Sequence, residues 1–289
     1  MKLYNFYLTV FTFLFAFASC NNDLDVPEPV DDEPIIQQFI ADNNLNAEKS
    51  DEWDVYYVEL EPGNGIQATR SSVVEISYEN ALLDNTVIDA DTSYVFVPET
   101  YSFITGIALG TLTMEEEGKS LIIIPSRYAY GSNTGLLNGV NVPSNSVLQS
   151  TITLKDIRTK AEQKTWEESK ILRYIEEQGF DSVSLSDKGL YKQIITEGDD
   201  GETPEAGVSI TVDYEGTFLD GTTFDEGVSA QFGLTSNALI EGFFDGVLTM
   251  KRNEEAVFVM ISDIAYGDTG SGAIPPFTPL VFKIKLLAF

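Results

Sequence analysis

The sequence predicts an α+β chain of two tandem domains, each an antiparallel β-sheet wrapped around a short α-helix, with an added helix at the start of each repeat. Three observations carry that prediction. Tyr78 and Tyr214, Asp89 and Asp225, Gly106 and Gly242, Met114 and Met250, and Tyr130 and Tyr266 are identical pairs, each 136 residues apart. An offset held constant over that span marks an internal repeat. Within each repeat most apolar residues alternate with period two, the mark of strands, and few follow helical spacing. The length of 289 residues also suits two domains of about 150 residues each.

The elements follow in chain order. Residues 1–19, "MKLYNFYLTVFTFLFAFAS", carry one lysine and an apolar run that ends in small residues, the pattern of a secretory signal. Ala18-Ser19-Cys20 resembles the lipobox of bacterial lipoproteins, with Phe17 where Leu is usual. That resemblance implies cleavage before Cys20 and a lipid anchor on it; several acyl chains on one residue hold a membrane firmly, whereas one holds marginally. Cys20 is the sole cysteine, so the domains have no disulfide framework. Residues 20–34 are acidic and Pro-containing, with too little apolar material for a core, and read as a disordered tether. Acidic segments just after the lipidated cysteine resemble export signals of some Bacteroidetes lipoproteins, which implies a place in the cell envelope, at the outer membrane.

The first domain is expected over residues 35–157 and the second over 171–289, joined by a charged, helix-prone linker at 158–170. "IIQQFIADNNLN" and "KILRYIEEQGFD" place Ile36, Phe39 and Ile40, and Ile171, Tyr174 and Ile175, at helical spacing. Each leads into a short alternating strand, "VYYVELEPGNG" and "LYKQIITEGDDG", closed by a Gly-rich acidic turn. "SITVDYEGTFLDGTTFD" reads as strand, Asp-Gly turn, strand. A short helix is expected over "NALIEGFFDGVLTM", with Leu239, Ile240 and Phe243 on one face and Gly246 as its terminator. "EEAVFVMISD" and "TPLVFKIKLLAF" supply two further strands, the latter setting Val281, Lys283 and Lys285 against Leu280, Phe282, Ile284 and Leu286.

Composition excludes several functions. A formal charge of −29 repels phosphate backbones, so no nucleic-acid partner is expected. The absence of histidine removes His-based triads, the usual zinc ligands and the near-neutral proton shuttle. The acidic runs "DNTVIDADTS" and "EGDDGETPE" lack the Gly and Glu spacing of an EF-hand calcium loop and read as solvated turns. No metal and no cofactor are expected.

The string "VDYEGTFLDGTTFD … LIEGFFDGVLTM … DIAYGDTGSGAIPPFTPLVFKIKLL" resembles an FKBP-type peptidyl-prolyl cis–trans isomerase domain over Gly207–Phe289, and Ser71–Ile157 resembles it more weakly. The resemblance implies two FKBP-like domains and an isomerase that acts on Pro-containing polypeptide clients. It implies a pocket in which Phe243 is the floor, Tyr214, Phe224 and Phe282 are walls, and Phe232 lies beneath. Leu239 and Ile240 match the apolar pair whose second N–H bonds a ligand carbonyl, and Tyr266 would donate its hydroxyl to another. Asp225 would orient Tyr214 and polarise the amide region, and Ile274 would line the flap. Phe243 stands where many relatives have Trp, Ala230 where an aromatic is common, and the flap is shorter and lacks the family's histidine.

In the first repeat Ile88, Ile107 and Ser150 stand where the second has Phe224, Phe243 and Phe282, while Tyr78, Asp89, Phe96, Ile104 and Tyr130 persist. Catalysis is therefore expected in the second domain, with the first retained for holding polypeptide. Two other readings stay open on sequence: a non-catalytic envelope chaperone or scaffold that uses the same clefts, and a surface glycan-binding lipoprotein. Oligomeric state is not encoded in these patterns.

Overall fold

The computed structural model describes residues 30–100, 104–181 and 183–289; the signal-like segment and Cys20 lie outside them. The first repeat begins with helix α1 (Glu33–Asp42). Glu33 and Pro34, expected in the tether, belong to this helix, because a proline in the first turn gives up an N–H that had no intrahelical partner anyway. Strands β1 (Glu48–Lys49), β2 (Tyr56–Glu61), β3 (Val73–Leu82) and β4 (Val87–Phe96) follow, then helix α2 (Thr105–Thr111) and strand β5 (Lys119–Ile124). A small hairpin, β6 (Gly135–Leu137) and β7 (Val140–Val142), precedes β8 (Leu148–Arg158).

The second repeat begins with helix α3 (Lys160–Gln178) and continues as β9 (Val183–Ser186), β10 (Leu190–Thr196), β11 (Ser209–Phe218), β12 (Thr223–Gly233), α4 (Glu241–Val247), β13 (Glu255–Met260) and β14 (Leu280–Ala288). The expected linker and the expected helix from Lys170 are thus one helix. It starts in a capping box, with Thr159 Oγ1 accepting from the Glu162 N–H at 3.2 Å and Glu162 Oε2 accepting from the Thr159 N–H at 2.8 Å. It ends at Gly179, whose φ of +65° is the left-handed cap that costs glycine nothing.

The sheets repeat one topology. The first runs β1-β2-β5-β8-β3-β4 and the second, read from its own first strand, β9-β10-β13-β14-β11-β12. Neighbouring strands pair antiparallel throughout, as in Gly216 opposite Phe282 and its counterpart Asn80 opposite Ser150. Residues on the helix-facing side make the cores: Ile76, Ile122, Ile152 and Leu154 in the first, Val212, Phe258, Ile284 and Leu286 in the second, all fully buried. Burial of such side chains contributes about 1.5–3 kcal/mol each.

Gly246 does not terminate α4, which runs one residue further to Val247. Its role is close packing: a Cβ there would sit 2.9 Å from the ring of Phe258. Gly110 of α2 does the same against Ile122, where a Cβ would sit 2.7 Å away. Both helices lie directly on their sheets because of these glycines.

Candidate functional site

The cleft of the second domain is assembled by four elements. Strand β11 supplies Tyr214, β12 supplies Asp225 and Phe232, α4 supplies Phe243, and β14 supplies Phe282. Period-two alternation puts Tyr214 and Gly216 on one face of β11, with Phe282 opposite Gly216. Gly216 is required there, since a Cβ would lie 2.6 Å from the Phe224 ring and 3.0 Å from that of Phe282.

The cleft has a volume of about 410 Å³ and is lined by Tyr214, Asp225, Phe232, Leu239, Ile240, Phe243, Tyr266 and Phe282, together with Asn237 and Ala238. The last two were not singled out from sequence; their one signal is their place in the turn just before Leu239. Phe224 and Ile274 are not among the lining residues. Phe224 stands behind the wall, its ring 5.5 Å from Phe282 and 5.3 Å from Phe218. Ile274 is buried at 7% exposure in the core cluster, and its N–H and carbonyl both pair with Ser271.

The floor is a set of mutually edge-on rings. Phe243 lies 5.4 Å from Phe282, 6.1 Å from Tyr214 and 6.1 Å from Phe232, and Tyr214 lies 5.8 Å from Phe232. Such edge-to-face pairs add roughly 0.5–1.5 kcal/mol each beyond burial and fix ring orientation. Ile240 caps α4 and its carbonyl accepts from the Phe244 N–H at 3.0 Å.

Two phenols are the polar handles. The Tyr214 hydroxyl donates to Asp225 Oδ2 at 2.9 Å. Burial, and then that bond to a carboxylate, push Tyr214 up to about 12. Burial also pushes Tyr266 up, helped by the nearby Asp225 charge. Both phenols therefore keep their protons at physiological pH and can donate hydrogen bonds. Among the described residues no group of three or more His, Cys, Asp or Glu side chains is placed to hold a metal. The arrangement can bind an apolar ring among aromatic faces and hold adjacent carbonyls; it has no nucleophile and base pair.

The first repeat builds the same frame differently. Tyr78 donates to Asp89 at 2.7 Å, as Tyr214 does to Asp225. Tyr94 stands at the position of Ala230, edge-on to Tyr78 at 6.0 Å. Asn80 takes the place of Gly216, in the room that Ile88 and Ser150 leave by being smaller than Phe224 and Phe282. Asn80 Nδ2 and Oδ1 and Ser150 Oγ are buried with no partner among the described residues. The segment between Gly131 and Val142 is four residues longer than its counterpart and holds the β6–β7 hairpin, whose turn residue Asn138 donates to the Ile88 carbonyl at 3.1 Å and to Asp89 Oδ1 at 3.3 Å. The hairpin thus bonds the strand that carries Asp89.

Two repeats of one sheet-and-helix unit, one with a cleft of edge-on aromatics and neutral phenols, define a protein built on a prolyl-isomerase-type frame. Residues 64–155 and 200–287, more than half of the chain, match the family described as FKBP-type peptidyl-prolyl cis-trans isomerase. The chain belongs to that family and carries two of its domains. It is 37% identical over 113 residues to FK506-binding protein 59 of Drosophila melanogaster, covering 37% of this chain and 26% of that protein. It is 33% identical over 122 residues to the FKBP-type 22 kDa peptidyl-prolyl cis-trans isomerase of Escherichia coli, covering 40% and 58%. FK506-binding protein 1 of Dictyostelium discoideum is 37% identical over 106 residues, covering 35% of this chain and 98% of that one. Matches thus span only about a quarter and just over half of the first two relatives. The crystal structure of FkpA from Escherichia coli superposes with a TM-score of 0.36 at 29% identity, covering 44% of this chain and 62% of that one.

Proposed function

We propose that the chain is a peptidyl-prolyl cis–trans isomerase whose catalysis resides in the second domain. The observation that carries this reading is the cleft of edge-on rings around Phe243, with two protonated phenols at its margin. Rotation about an amide is opposed by about 18–20 kcal/mol because twisting destroys resonance. An X-Pro bond left alone takes tens to hundreds of seconds, slow enough to limit folding. A twisted amide has lost part of its charge separation, so an apolar, water-poor cleft favours it over the planar form. Phe243, Phe282 and Phe232 grip the prolyl ring. Tyr266 and the N–H of Ile240 hold the flanking carbonyls, and Asp225 keeps the Tyr214 ring in place. Phe224 backs the wall and Ile274 supports the flap from the core side. No proton is transferred at any step, which suits a chain without histidine.

The clients are Pro-containing polypeptides. The relatives named as isomerases support the activity. The Cys20 motif supports lipid anchoring in a bacterial envelope, with exported proteins as clients. Among the described residues no helix is long and apolar enough to cross a membrane. The test is a protease-coupled assay on the full chain with a chromogenic Leu-Pro peptide. Acceleration over the uncatalysed rate supports the reading. Binding of the peptide with an unchanged rate would replace it with a non-catalytic chaperone.

A further inference from the structure

Glu167 is a carboxylate with 2% exposure in the middle of α3, outside the cleft. Its Oε2 accepts from the Ser262 N–H at 2.8 Å, and its Oε1 accepts from the Ser262 hydroxyl at 3.0 Å and from Gln163 Nε2 at 3.1 Å. Burial raises the pKa of Glu167, while the hydrogen bonds it accepts from Ser262 and Gln163 favour its ionised form. Ser262 opens the short 3-10 turn Ser262–Ile264, and its carbonyl accepts from the N–H groups of both Ala265 and Gly267 at 2.8 Å. Those two residues flank Tyr266. Every polar group of Ser262 is therefore engaged, on one side by the helix and on the other by the tyrosine's turn.

The first repeat contains the same device from a different residue. Asp32 is 3% exposed, and its Oδ2 accepts from the Ser126 N–H at 2.7 Å and the Ser126 hydroxyl at 2.8 Å. The Ser126 carbonyl accepts from Ala129 at 3.0 Å and Gly131 at 2.8 Å, on either side of Tyr130. Asp32 sits at the N-cap of α1, where its side chain could cap the helix, yet it makes no cap bond and reaches the serine instead. Two helices with different sequences thus place a buried carboxylate on the same serine of the same turn. An apolar contact there would leave the buried serine N–H and hydroxyl without an acceptor, so the carboxylate holds the turn as well as docking the helix.

We propose that Glu167 is a positioning residue for Tyr266: through Ser262 it sets the turn that aims the phenol into the cleft. This rests on the isomerase reading above. The anchor continues backwards, since Gln163 Oε1 accepts from Arg158 Nη1 at 2.9 Å and Arg158 Nη2 pairs with Glu75 at 2.7 Å. Glu75 lies on β3, so the turn of the second domain is tied to the sheet of the first.

The experiment uses the full chain as wild type, Glu167→Gln, Tyr266→Phe and the double variant, assayed with the Leu-Pro peptide. Each protein is also labelled with ¹³C-tyrosine, and the Tyr266 ring signal is assigned by its loss in Tyr266→Phe. The amide of Glu167→Gln sets an N–H donor against the Ser262 donors. The expected result is a fall in kcat/KM of about three- to tenfold in the wild-type background, the worth of about one hydrogen bond. In the Tyr266→Phe background the same change is expected to cost less than about twofold, and the Tyr266 signal moves in Glu167→Gln. An equal fall in both backgrounds, or no fall with an unmoved Tyr266 signal, overturns the proposal. If Glu167→Gln does not fold, Ser262→Ala removes only the hydroxyl bond and is judged by the same dependence on Tyr266. A wild-type chain with no activity would defeat the isomerase reading alone; positioning is then decided by the Tyr266 signal, moved in support or unmoved against.

Discussion

The two clefts differ by a coupled exchange. In the second domain Gly216 leaves room for the rings of Phe224 and Phe282, and Phe243 completes the floor. In the first, Asn80 occupies the corresponding strand position, beside Ile88, Ile107 and Ser150. The strand order and the Tyr–Asp bond are the same in both, the bond 2.7 Å in one and 2.9 Å in the other. What changed is the chemistry of the lining, from Phe rings packed edge to face to smaller side chains with buried polar atoms that lack partners among the described residues. One frame thus carries two linings, and only the second sets Phe at the three exchanged positions.

The largest expected effect comes from making the second cleft like the first. Phe282→Ser installs the residue of the first repeat at a position 3% exposed. It should cost roughly 3–5 kcal/mol of stability, as large-to-small core changes do, and bring peptide turnover to the uncatalysed rate. Thermal melts and the coupled assay read both. The reverse exchange is expected to be smaller. Asn80→Gly, Ile88→Phe and Ser150→Phe together, placed in a chain carrying Tyr266→Phe, should add a weak X-Pro peptide site to the first domain. Titration followed by NMR of Tyr130 reads it, and no shift there would mean that the lining is not what separates the two clefts.

The pH profile sharpens the comparison from the side of the second cleft. Tyr214 and Tyr266 both titrate above their ordinary value of about 10. The folded state therefore favours their neutral forms; the stability they lend is complete below about pH 10 and is lost as pH rises through about 12 for Tyr214. Turnover should stay flat from about pH 6 to about pH 9, because neither phenol titrates there and the chain has no histidine. A bell-shaped profile centred near neutrality would require an acid–base step that this account lacks. The smallest effect is Ser150→Ala, which removes a buried hydroxyl without a partner and should raise stability by about 1 kcal/mol in a denaturant titration.

Much of this was legible in the sequence because it is local or periodic. The 136-residue offset exposes the duplication, alternation exposes the strands, and the missing rings of the first repeat can be read by aligning it on the second. The misreadings have two causes, one tertiary and one local. Gly246 looked like a stop signal, but it is a point of close approach to Phe258 on another element. The charged linker looked separate from the helix after it, though Thr159 and Glu162 already spell a capping box. Asp32 and Glu167 gave a fainter signal: each falls on the face of its helix that carries Ile36 or Ile171 four residues on, an unusual place for an unpaired charge. Their partners lie 94 and 95 residues away, which no local pattern reveals.

The central claim is that the tyrosine of the second cleft serves turnover and that of the first does not. Tyr266→Phe and Tyr130→Phe each remove one hydroxyl from the full chain, leaving the ring and its packing. The account predicts that Tyr266→Phe lowers kcat/KM about tenfold, the worth of one hydrogen bond, while Tyr130→Phe leaves it within about twofold of wild type. A fall in the Tyr130 variant with the Tyr266 variant unaffected would contradict it.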